Sequence, residues 1–170
     1  MKLVCLDTQI IIWGVKGEAT QGQEHMPAKA KAFIAELAKS KVECIIPAIA
    51  VAECLFKAPQ KREAMLSVFN QCFRVAPFDL AAAEKYVSMY DNESFRNARQ
   101  QSGASRETIR IDGMIVAIAV ANKAECIYSD DEHVGRLARG HIECKTLASV
   151  PQQLELGLKP DSQGPEHHGG

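Results

Sequence analysis

Short, continuously apolar runs that end in carboxylates constrain this chain more than any other feature. Leu3-Val4-Cys5-Leu6 runs directly into Asp7-Thr8, and the run from Ala124 to Tyr128 closes in Ser129-Asp130-Asp131. A strand that is apolar without alternation is buried on both faces, as in a parallel sheet covered by helices. A carboxylate placed directly after such a strand costs desolvation unless something partners it. A polar site is therefore expected at the strand ends.

Five runs rich in Val, Ile, Cys and Leu read as strands, at 2–6, 43–46, 73–76, 125–128 and 142–145. Between them, residues 28–40, 48–57, 61–71, 80–92 and 112–123 carry apolar positions at a helical period. Pro47 at a strand exit and Asp79 before Ala81-Ala82-Ala83 are expected helix starts, through a fixed φ and through N-capping. Strands alternating with helices predict an α/β fold with a parallel sheet covered on both faces. A chain of 170 residues supports one such domain over 1–150. The extension 151–170 is small and polar, and disorder is expected in it from about Lys159.

The longest apolar stretches, 44–52 and 114–121, fall short of the roughly 20 residues of a membrane helix. Residues 1–13 lack the layout of a signal peptide, so a cytoplasmic protein without membrane association is expected. None of the six cysteines is spaced as CxxC, which predicts buried reduced thiols rather than zinc ligands. The net charge of -1 leaves the partner open, but Arg96, Arg99, Arg106 and Arg110 make 96–110 locally basic against the single acid Glu107.

Four acidic positions carry the functional reading. Asp7 ends the first strand, Glu53 sits in the apolar Ile49–Phe56 stretch, Asp112 opens an apolar helical run, and Asp131 (or Asp130) follows the fourth strand. Singly, each has an ordinary explanation: an N-cap for Asp112, a solvent-facing position for Glu53, turn chemistry for Asp130-Asp131. Jointly they point to the carboxyl ends of a parallel sheet, where such folds bind ligands. Carboxylates within ~4 Å repel by about 4 kcal/mol per pair at an effective dielectric of about 20. A divalent cation removes that repulsion, and an all-oxygen donor set favours Mg²⁺ or Mn²⁺ over zinc. A metal so held can orient a water, lower its pKa and clamp phosphate oxygens, which is phosphodiester-hydrolysing chemistry.

Leu6-Asp7-Thr8, Pro47-x5-Glu53, Asp112-x-x-Ile-x-Ala and Ser129-x-Asp131 resemble the successive acidic motifs of PIN-domain nucleases, especially the VapC-type toxin ribonucleases. The resemblance runs from Met1 to about Leu147 and includes Val75-Ala-Pro-Phe-Asp79, similar to the family's middle strand-to-helix passage. It implies a three-layer α/β/α fold around a five-stranded parallel sheet in the order 3-2-1-4-5. It also implies an endoribonuclease dependent on Mg²⁺ or Mn²⁺, with Asp7, Glu53, Asp112 and Asp131 as catalytic, direct or water-mediated metal ligands and Asp130 in reserve. Thr8 and Ser129 become positioning hydroxyls, although the family usually has Thr where Ser129 stands.

An RNA substrate needs a positive grip. Arg99, Arg106 and Arg110 are the expected substrate-positioning residues, with Arg96 and with Lys57, Lys61 and Arg62 beside the Glu53 stretch. Arg110, two residues before Asp112, is expected to meet the scissile phosphate, and 101–106 reads as a loop. Trp13 reads as a core anchor at the start of helix one, and His133 as an exposed helix-start residue. The resemblance further implies a small antitoxin protein as partner and a homodimer, for which Ile10-Ile11-Ile12 offers an apolar face. The alternative is a non-catalytic module of the same fold that binds RNA or protein. Receiver domains and haloacid-dehalogenase phosphatases need a second early acid that Asp7-Thr8-Gln9 lacks.

Overall fold

Strand β1 (Leu3–Leu6) is the centre of the molecule, and its burial explains its composition: Val4, Cys5 and Leu6 are all enclosed. The computed structural model describes residues 2–91, 96–97, 100, 103 and 105–149. Arg99, residues 101, 102 and 104 of the expected loop, and the extension 151–170 lie outside the described residues.

β1 pairs in parallel with β2 (Glu43–Pro47) on one side and β4 (Cys126–Tyr128) on the other. β3 (Arg74–Ala76) and β5 (Glu143–Lys145) form the edges, giving an all-parallel sheet in the order 3-2-1-4-5. Val4 is in register with both Cys44 and Cys126, so three neighbouring parallel strands end at one edge.

Successive strand residues point to opposite faces, and two core layers follow from that alternation. Val4, Leu6, Cys44 and Ile46 pack with Ile10, Ile11, Trp13, Phe33 and Phe69. These come from α1 (Thr8–Ile11), a π-helical turn (Ile12–Lys16), α2 (Met26–Lys39) and α4 (Arg62–Cys72), with α3 (Ala48–Phe56) beside them. Cys5, Ile45 and Ile127 face the other layer. That layer comes from α5 (Leu80–Tyr90), α6 (Arg106–Ala121) and α7 (Glu132–Ala138). Among the described residues, no helix is long and apolar enough to cross a membrane. The described cysteines are all free; Cys5, Cys44, Cys54 and Cys126 are buried, while Cys72 is exposed.

Several local expectations hold in detail. Asp79 caps α5, its carboxylate accepting the Ala82 N–H at 2.9 Å, and Pro47 immediately precedes α3. Trp13 is a core anchor, but helix one begins at Thr8 and carries Trp13 inside the π-helical turn. Three expectations fail. Ile10 and Ile11 are fully buried and Ile12 packs against the same layer, so this run cannot serve as a dimer face. Consecutive residues lie about 100° apart around a helix, so three apolar neighbours signal enclosure rather than one sticky side. His133 is half-buried rather than exposed.

The third correction concerns Asp112. It does not open its helix: α6 starts at Arg106 and is capped by Ser105, whose hydroxyl accepts the Thr108 N–H at 3.1 Å. Arg106 is therefore helical rather than the end of a loop, and both it and Arg110 are exposed on α6. Replacing Ser105 by Ala should lower unfolding stability by about 1 kcal/mol, the usual cost of a lost N-cap. Chemical denaturation of the variant checks this, and an unchanged midpoint would place the helix start elsewhere.

Candidate functional site at the carboxyl edge of the sheet

The site is built by three strand exits. Beyond β1, the Asp7 N–H donates to the carbonyl of Tyr128, the last residue of β4, at 3.0 Å, which continues the strand pairing one residue past β1. Asp7 is thereby held beside Ser129. Its carboxylate accepts the Ser129 hydroxyl at 2.7 Å and the Thr8 backbone N–H, also at 2.7 Å. The Ser129 oxygen also accepts the Asp131 N–H at 3.1 Å. One hydroxyl thus links the acid after β1 to the turn after β4.

Asp131 in turn caps α7 by accepting the His133 N–H at 2.7 Å. Beyond β2, Glu53 lies on α3 and accepts the Thr8 hydroxyl at 2.8 Å. Thr8 and Ser129 each hold a different carboxylate. Asp112 comes to the same place from α6, half a helix away from its N-cap, and is buried.

The four acids feel one another. Burial pushes the Asp7 carboxyl up to about 6 despite the hydrogen bonds from Ser129 and Thr8, with Asp131 and Glu53 adding repulsion. Burial also pushes Asp112 up to about 7, and Asp131, Asp7 and Glu53 each repel its charged form. The Asp112 Oδ2 atom is buried and has no hydrogen-bond partner among the described residues. A buried oxygen left unsatisfied among three other acids is destabilising unless a cation or proton answers it.

The donor set of Asp7, Glu53, Asp112 and Asp131 is oxygen-only, which suits a hard divalent ion, and the orphaned Asp112 oxygen fits the same reading. As the side chains stand, no three His, Cys, Asp or Glu among the described residues are gathered closely enough to hold a metal ion. Asp130 is directed elsewhere: its carboxylate accepts the Leu147 N–H at 3.2 Å.

The expected arginine grip is placed differently. Arg110 is exposed while Asp112 is buried, and two residues along a helix are about 200° apart around its axis. Arg110 and Arg106 therefore stand on the outer side of α6, away from the acids. Lys61 pairs with Glu18 at 3.5 Å, and Arg62 donates to the Leu55 carbonyl at 3.1 Å. Sequence reasoning missed Arg136 and Arg139, which border a hollow of about 390 Å³ together with Ser129 and Asp131. A second hollow of about 440 Å³, bordered by Gln9, Gln23 and His133, shares Asp130, Asp131 and Glu132 with it. The turn after β4 is a ridge between the two.

No family model matches the sequence, and no curated protein is similar to it in sequence. Among solved structures, the chain is similar to one in VapBC2 from Rickettsia felis bound to a DNA fragment from their promoter. That match has 17% identity and a TM-score of 0.60, covering 85% of this chain and 98% of that one. It is also similar to a chain in the DNA-bound VapBC from Salmonella typhimurium, at 17% identity and a TM-score of 0.53, covering 86% and 99%. The chain has the PIN-domain fold. At this identity the likeness is one of architecture, and the PIN sheet order is the one found here, with strands one and four side by side under the acids.

Asp112 supplies a test of the electrostatics. Its carboxyl is raised from 3.8 to about 7 on folding. The folded state therefore binds the proton more tightly, and this stabilising contribution is complete at acid pH and lost as pH rises through about 7. In metal-free buffer, Asp112→Asn should raise the thermal midpoint at pH 8 by at least about 2 °C, and the gain should vanish near pH 4. Thermal unfolding of both proteins across that range measures it; a midpoint lowered at pH 8 would contradict the buried, repelled state of this carboxylate.

Proposed function

We propose that the protein is a metal-dependent endoribonuclease acting as the toxin of a toxin–antitoxin pair. The observation that carries this reading is the convergence of Asp7, Glu53, Asp112 and Asp131 at one sheet edge, with a buried Asp112 oxygen that nothing among the described residues satisfies. Mg²⁺ or Mn²⁺, held by those four carboxylates, would supply an activated water and charge neutralisation at a phosphodiester. The half-exposed Glu53 and Asp131 have the room to turn inward, while Asp7 and Asp112 are fixed by burial.

The chain's own residues then divide the work. Ser129 keeps Asp7 oriented through its 2.7 Å hydrogen bond, and Thr8 does the same for Glu53 at 2.8 Å. Such supporting contacts typically carry 10- to 100-fold in affinity or activity, as an order of magnitude. The enclosure of Asp7 and Asp112 lowers the local dielectric and strengthens every charge interaction there. Asp130, committed to the Leu147 amide, takes a structural role beside the site.

The toxin reading draws on the two VapBC complexes whose fold the chain shares, and it implies a small antitoxin partner and a cytoplasmic setting. A non-catalytic module of the same fold is the competing reading, and the wide spacing of the carboxylates speaks for it. Purified protein incubated with total RNA and Mg²⁺ or Mn²⁺ should produce fragments with defined ends. Cleavage should stop in excess EDTA and fall about 100-fold or more in Asp7→Asn. RNA binding without any cleavage would select the competing reading, and full activity of Asp7→Asn would remove the acids from the mechanism.

A further inference from the structure

We infer that the groove between α7 and β5 is the track for the substrate's phosphate backbone, with Arg139 as its positioning cation. This deepens the ribonuclease reading and rests on it for the identity of the nucleic acid. The groove, about 390 Å³, has the acids Asp130, Asp131 and Glu132 at its catalytic end and Gly135, Arg136 and Arg139 along its length. Asp131 thus belongs both to the groove and to the acid cluster, so a strand lying in the groove runs directly into the proposed reaction centre.

The charges in the groove are not equivalent. Arg136 is already neutralised, donating to Glu132 at 2.8 Å one helical turn back. Arg139 is exposed at the end of α7 and makes no ion pair among the described residues. Asp131, Gly135 and Arg139 are spaced four apart, which aligns them in one row along the helix and its last turn. The row spans about 12 Å at 1.5 Å per residue, from the catalytic edge to a free guanidinium. A guanidinium offers a planar fork of donors suited to phosphate oxygens.

Gly135 is the independent observation. It lies inside α7, where glycine is less favourable than alanine by about 1 kcal/mol in general, and its φ is not positive. A Cβ added there would meet only the Cys144 sulfur, at an ordinary 3.8 Å. Neither backbone conformation nor packing demands glycine. What its missing side chain does is keep the floor of the groove open midway between Asp131 and Arg139.

The test is binding of a fluorescein-labelled single-stranded RNA 12-mer, read by anisotropy in EDTA from low to moderate salt on the Asp112→Asn protein. Arg139→Ala in that background should weaken binding about tenfold and reduce the slope of log K against log salt by about 1. Gly135→Ala should weaken binding while its thermal midpoint stays equal or rises. Lys39→Ala removes the same charge from the end of α2, at the opposite edge of the sheet, and should bind as its parent. Unaltered affinity in Arg139→Ala, an equal loss in Lys39→Ala, or no RNA binding by the parent would each overturn the groove. Expected binding losses together with a wild-type protein that cleaves nothing would leave the groove standing and sink the hydrolytic reading instead.

Discussion

The hydrogen bond from the Ser129 hydroxyl to Asp7 is the contact on which the rest of the site depends. It closes a separation of 122 residues in sequence, and it exists only because β1 and β4 are neighbours in register, Leu6 opposite Tyr128. The same oxygen receives the Asp131 amide, so the first and last acidic motifs are tied through one atom. Remove the parallel pairing of β1 with β4 and neither acid has a defined position. The sheet order is thus a condition for the chemistry as well as an architecture.

Burial and repulsion act against that arrangement. Asp7 and Asp112 are enclosed, burial raises the proton affinity of both, and Asp131 and Glu53 add repulsion to each. Asp7 is partly compensated by two short hydrogen bonds, whereas one oxygen of Asp112 has none among the described residues. The protein keeps a local destabilisation in the middle of an otherwise well-packed layer of Ile115, Val116 and Ile118. Strain of this kind, held by a rigid surrounding core, is a recurring property of sites prepared for a ligand.

Much of this was legible in the residues, and for a physical reason. Continuous apolar strands such as Leu3–Leu6 and the Cys-Ile-Ile run of β2 have one stable use, a sheet buried on both faces. The acids at their exits were equally visible, because charge is rare after such strands. Helix boundaries were less visible. Asp112 is a good capping residue, yet Ser105 took the cap and extended α6 by six residues upstream, which put Arg110 on the far side from the acids. Of helix α7 only the start was read, at His133, because seven residues interrupted by Gly135 leave too short a pattern to follow. With α7 went Arg136 and Arg139, whose shared row with Asp131 follows from the helical spacing only once that helix and its full length are recognised.

The placement of sulfur in the sheet has a practical side. Cys44 and Cys126 flank Val4 from opposite strands, so their Cα atoms are two strand spacings apart, about 9.5 Å. That exceeds the roughly 7 Å limit for a disulfide, so air cannot join these two thiols across β1. Burial pushes the Cys44 thiol up to about 11 and Cys54 to about 12, which keeps both unreactive near neutral pH. Cys72 alone among the described cysteines stands in solvent at the end of α4. A covalent dimer on a non-reducing gel should therefore be joined through Cys72, and Cys72→Ser should abolish it without disturbing either core layer.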